Sequence, residues 1–141
     1  WFLKRKNILK DILSKEKSGM DCLLEYIRKH ASAGAGKIFL IHKLLHFRKS
    51  FPDLFNKGLY LPVIGPESFI GYIRAYEGRQ LLVLAHLPSS ATDEMSVSGI
   101  PGISGRWKNI LTGKQVELHD SLNFHLLLAE FPVAALVLQN D

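Results

Sequence analysis

Arg48-Lys49-Ser50-Phe51-Pro52-Asp53-Leu54-Phe55-Asn56-Lys57-Gly58-Leu59-Tyr60-Leu61-Pro62 separates two kinds of sequence. Before it, apolar residues recur at helical spacing. After Gly58 they fall in short runs punctuated by turn residues. Pro52 closes the helix that leads into the stretch, because its ring clashes with a continuing helical turn. Pro62 cannot donate to a ladder and confines its strand to a sheet edge. The stretch is therefore a junction between a helical half, residues 1–50, and a β-rich half, residues 51–141. The fold class is α+β, with N-terminal helices followed by a small antiparallel β-sandwich.

Upstream, Phe2, Ile8, Leu9, Ile12 and Leu13 form one stripe and predict a helix over 2–16. Ser18-Gly19 breaks it, with Ser18 as the expected N-cap of a second helix and Asp21 three residues on. That helix runs to about Lys29 and buries Met20, Leu23, Leu24 and Ile27. A small-residue linker, Ala31 to Gly36, leads to a third helix over 37–50. Its expected buried side is Ile38, Ile41, Leu44 and Leu45.

Downstream, strands are expected near 59–64, 68–76 and 80–87, with Glu77-Gly78 turning the second into the third. Pro88 to Gly105 reads as a long surface loop. Further strands are expected near 105–108, 115–118 and 124–128, with Thr112-Gly113 as a turn, and a last one over 133–138. Seven short antiparallel strands fit a β-sandwich.

The chain has 141 residues and a net charge of +5, unevenly spread. Residues 1–50 carry 12 Lys/Arg against 4 Asp/Glu, and residues 51–141 carry 6 against 9. A basic half fits an anionic surface or an acidic protein face. No nucleic-acid-binding motif accompanies the charge, so nucleic acid is not expected as a partner. A single cysteine, Cys22, excludes an internal disulfide and fits a reducing, cytoplasmic setting. No apolar run approaches the roughly 20 residues that span a bilayer, and no membrane partner is expected. The start, Trp1-Phe2-Leu3-Lys4-Arg5-Lys6, has its charges after its apolar residues and no initiator Met. It reads as a cut inside a longer chain.

The patterns that carry chemistry are incomplete. His42 and His46 lie one helical turn apart, a spacing that can chelate zinc, but Lys43 stands where a zinc protease needs Glu. No metal or cofactor is expected. Gly34-Ala35-Gly36-Lys37 lacks both the earlier Gly and the hydroxyl residue of a phosphate loop; Ala31 and Ile38 stand there. Cys22 among Leu23, Leu24 and Ile27 reads as a small hydrophobe. Glycoside chemistry needs paired carboxylates. Asp53, Asp93-Glu94, Asp120 and Glu130 form no such pair, so no catalytic residue is assigned. Tyr60 and Trp107 are the candidates for stacking on a sugar ring, although an aromatic residue of a β-sandwich more often belongs to its core.

An ordered series of segments resembles the maltooligosyltrehalose synthases of the α-amylase superfamily, glycoside hydrolase family 13. Gly34, Lys37, Leu44-Leu45 and Arg48 resemble the last helix of that family's catalytic barrel. The junction, read R-x-x-x-P-D-L-F-x-x-G-x-Y-x-P, follows. Gly71-Tyr72-Ile73-Arg74, Leu81 to Pro88, Trp107 to Gly113 and Phe131-Pro132-Val133-Ala134-Ala135-Leu136 complete the series through residue 141. Ala33 and Ala35 depart from it, as does the stretch after His86-Leu87-Pro88, where an Arg is expected.

The resemblance implies a non-catalytic C-terminal fragment of an intramolecular transglucosylase. The parent converts the reducing-end α-1,4 link of a maltooligosaccharide into an α,α-1,1 link. Its catalytic carboxylates lie upstream of this segment. The implied partners are the rest of the parent barrel, which residues 51–141 buttress, and the parent's maltooligosaccharide substrate. Residues 1–50 are then a remnant of the barrel's last helices, and self-association through an apolar patch of those helices is expected. A free-standing α-glucan-binding module is the alternative.

Overall fold

The computed structural model describes residues 1–64, 69–86 and 102–139, and the backbone of 96–98. Two compact units make up the chain, Trp1–Ser50 and Phe51–Asp141.

The first unit packs three helices, α1 (Phe2–Ser18), α2 (Met20–Lys29) and α3 (Ala35–Ser50). Its interior is Ile8, Ile12, Leu23, Leu24, Ile27, Ala35 and Phe39. Two polar ties join the helices. The Tyr26 hydroxyl donates to Asp11 Oδ2 at 3.0 Å, and Lys43 pairs with Glu16. Ser18 is not the cap of α2. It is the last residue of α1 and its hydroxyl donates to the Ser14 carbonyl. Gly19, at φ 121°, ends one helix and starts the next, a conformation that few other residues tolerate.

The third helix also differs from expectation. It buries Ala35 and Phe39, while Ile41 and Leu45 are 46% and 57% exposed. Apolar residues occur on two sides of α3, and the side holding small Ala35 next to bulky Phe39 faces the core. Spacing alone did not rank the two sides.

The second unit opens with α4 (Pro52–Asn56), in which Pro52 takes the first helical turn. The proline therefore begins a new short helix as well as following the old one. Six antiparallel strands then form a sheet in the order β1 (Leu59–Val63), β2 (Phe69–Tyr76), β3 (Arg79–His86), β8 (Val133–Leu138), β5 (Gly105–Asn109) and β6 (Gln115–Leu118). A two-stranded ribbon pairs β4 (Ser96–Ser98) with β7 (Ser121–Asn123), and α5 (Phe124–Leu127) follows β7. The β1 strand, with Pro62, lies at the sheet edge. Glu77 and Gly78 both have positive φ, 48° and 81°, which gives the β2–β3 hairpin the turn that matches strand twist.

One face of the sheet carries Ile73, Leu82, Leu84, Trp107, Leu118, Ala134 and Leu136, packed with Leu122 of β7 and Phe124 of α5. Leu81, Val83, Ala135 and Val137, on the opposite face, are buried as well. Burial on both faces explains why β3 and β8 read as continuous apolar runs. The strand expected near 124–128 is instead α5 and its C-cap, Leu128. Asn123 caps it by accepting from the Leu126 amide at 3.2 Å, so the chain turns helical at Phe124. The loop expected over 88–105 contains β4. Its Asp93 and Glu94 lie outside the described residues.

Candidate functional site

Trp107 is fully buried, and its indole donates to the Ile103 carbonyl at 2.8 Å. It presents no face to a sugar, which corrects its place among the stacking candidates. The hairpin behind it is held by Asn109. Its Oδ1 accepts from the Leu111 amide at 3.0 Å, and its carbonyl accepts from Gly113, at φ 77°. The W-x-x-x-x-T-G pattern thus codes a turn.

Tyr60 is different. It is 57% exposed and its ring lies 5.3 Å from Tyr72, tilted by 30°. Sheet register explains the pair: Tyr60 faces Arg74 and Pro62 faces Tyr72, so all four share one side of the β1–β2 ladder. The Arg74 guanidinium sits 5.9 Å from the ring centroids of both Tyr60 and Phe55. It donates to the Phe55 carbonyl at 2.5 Å, fastening the end of α4 to the sheet. Burial pushes the Tyr72 hydroxyl above the usual phenol range, with Arg74 opposing that shift, so it is a neutral hydrogen-bonding group at physiological pH. Sequence reading singled out Tyr60 but not Tyr72 and Arg74 as its neighbours. The i, i+2 spacing of those two on a hairpin strand was the signal.

A cavity of about 370 Å³ lies beside α5. Phe69 and Phe124 stack in its wall at 4.0 Å between centroids, and the His86 ring tilts against Phe69 at 5.0 Å. His125 and Glu130 also line it, and Glu130 is paired with Lys114.

In the helical unit, His42 and His46 line a second, apolar cavity with Leu9, Ile38, Ile41 and Leu45. Their ring centroids are 4.6 Å apart. Burial holds the His42 imidazole below its ordinary pKa of 6.5, and His46 and Lys43 push the same way against Glu16. Among the described residues no group of three or more His, Cys, Asp or Glu is placed to hold a metal ion. Cys22 is half-buried and free. Asp53 of α4 pairs with Lys57, the residue that follows the helix. Asp120 is exposed on the short link from β6 to β7. Among the described residues no helix is long and apolar enough to cross a membrane.

The chain matches no family model, and no curated protein matches it. Segments of much longer chains of solved structure share its fold. One is a maltooligosyl trehalose synthase of solved structure, 23% identical, with a TM-score of 0.62 over 97% of this chain and 16% of that one. Another is a hypothetical maltooligosyl trehalose synthase from Sulfolobus tokodaii, 21% identical, with a TM-score of 0.51 over 77% of this chain and 13% of that one. The chain therefore spans less than a fifth of the length of either. At these identities the likeness establishes the fold. It is the fold of the family whose motifs the sequence resembles.

Proposed function

We propose that this chain is the non-catalytic C-terminal segment of a maltooligosyltrehalose synthase, a trehalose-forming intramolecular transglucosylase, and that it buttresses the parent's catalytic barrel. The observation that carries this reading is the agreement of two likenesses. The ordered motifs from Gly34 to Leu136 and the fold over 97% of the chain both point to the same enzyme. The structural roles found for the motif residues support it. Arg74, Asn109 and Trp107 hold backbone in place, as expected of a buttress.

The test has two arms. Incubated alone with maltopentaose, the chain gives no trehalose-ended product; turnover would place catalytic carboxylates inside it and overturn the reading. Co-expressed with a maltooligosyltrehalose synthase lacking the matching segment, it restores activity to the truncated enzyme. Failure to restore any activity, with both pieces soluble, counts against the buttress.

In the same reading, the exposed Ile41 and Leu45 of α3 belong to a surface that the barrel covers, and the isolated chain self-associates through it. A second reading, an α-glucan-binding module, is favoured by the exposed Tyr60 ring beside Tyr72. It requires that Tyr60→Ala abolish retention of the chain on immobilised α-glucan.

A further inference from the structure

Helix α3 carries two imidazoles that the roles assigned above do not use. His42 and His46 are one turn apart, which sets them on one side of the helix. Their ring centroids are 4.6 Å apart, with the planes tilted by 51°. Leu9, Ile38, Ile41 and Leu45 wall the same cavity, of about 260 Å³. His42 is half-buried and His46 is exposed, so an ion in solution can reach the pair.

Two imidazoles held side by side form a chelate. The helix has already brought the second nitrogen close, so it binds an ion as an intramolecular step. The neighbouring cation does not oppose this. Lys43 is paired with Glu16 of α1, where both side chains are half-buried and the charge is matched. Among the described residues neither imidazole has a hydrogen-bond partner, so no bond is lost when its nitrogen turns to an ion. For the same reason nothing there locks the rings as the outer shell of a tight site does. The pair therefore suits an exchanging ion. Imidazole suits zinc, copper and nickel, whereas magnesium and calcium take oxygen ligands.

We propose that His42 and His46 chelate a divalent transition-metal ion of this imidazole-binding class, through one nitrogen each, with water completing its shell. The bound ion cross-links one turn of α3. It stabilises the helical unit, because only the folded helix presents both nitrogens together. None of this depends on the parent enzyme proposed above.

The test is NMR of the full chain, following imidazole resonances during separate titrations with zinc chloride and magnesium chloride. Zinc is expected to shift the His42 and His46 rings together, saturating at one ion per chain, before any change at His30, His86, His119 or His125. Affinity falls at least tenfold in His42→Gln and in His46→Gln, and is unchanged in His125→Gln. Zinc raises the melting temperature of the chain but not that of His46→Gln, a substitution at an exposed position. The joint shift is read in the unsubstituted chain, so the test stands even if a variant unfolds. No saturable zinc shift, or a shift of one ring alone, overturns the proposal. So do binding that survives either substitution, an equal response to magnesium, or a melting temperature that zinc leaves unchanged.

Discussion

Gly58 is where a single atom decides local structure. A Cβ there would sit 2.1 Å from the Leu54 carbonyl oxygen and 3.0 Å from that of Ala75, both backbone atoms that cannot swing aside. Gly58→Ala is therefore expected to cost about 1–3 kcal/mol in urea unfolding, by displacing the α4–β1 corner. A change inside experimental error would show that the corner relaxes freely. His42 gives a pH signature. Its pKa in the folded chain lies below 6.5, so the unfolded chain binds more protons between the two values. His42's contribution to the stability of the helical unit is full above about pH 6.5 and is lost as pH falls toward the lowered folded value. The comparison is unfolding of the chain and of His42→Gln across that window. The same slope in both would assign the effect elsewhere. The sequence showed that Tyr60 and Trp107 were notable aromatics. It did not show which was exposed, because that depends on cross-strand register: Trp107 lies opposite Leu138 and Val116 on the core face, while Tyr60 lies opposite Arg74 on the other.

Most elements were legible because their signals are local. The Glu77-Gly78 turn, the Pro62 edge strand and the last strand over 133–138 each follow from backbone chemistry within a few residues. Two segments depart from their expected form, for different physical reasons. The segment 124–128 is apolar enough for a strand, but the side chain of Asn123 supplies the cap that makes it helical. In α3 two apolar sides compete, and tertiary packing chose Ala35 and Phe39. The unchosen side yields a prediction. Ile41→Lys with Leu45→Glu should change stability by no more than about 0.5 kcal/mol, since both positions are exposed. If α3 mediates self-association, the same pair removes concentration dependence from sedimentation. Association that persists in the double variant would exclude this surface. The α5 cavity was not legible at all. His86 is far in sequence from His125 and Glu130, and meets them only through the β3–β8 pairing.

At the scale of the whole molecule, the order of the strands governs how the second unit can be built. β8 comes after every other strand, yet it lies between β3 and β5. Until it arrives, β1–β2–β3 and β5–β6 are two separate ribbons, with the β3 and β5 edges both waiting for a partner. The three helices, by contrast, need only contacts made within residues 1–50. On the ribosome the helical unit can therefore compact early, whereas the sheet must wait for its final six residues and then zip closed in one step. A force-sensing arrest peptide fused behind the chain should register one pull as residues 1–50 clear the exit tunnel, and a second only once Leu138 clears it. Force between those two lengths would mean that the half-sheets fold alone. Any product that stops short of the strand completing the sheet is therefore left with the β3 and β5 edges unpaired.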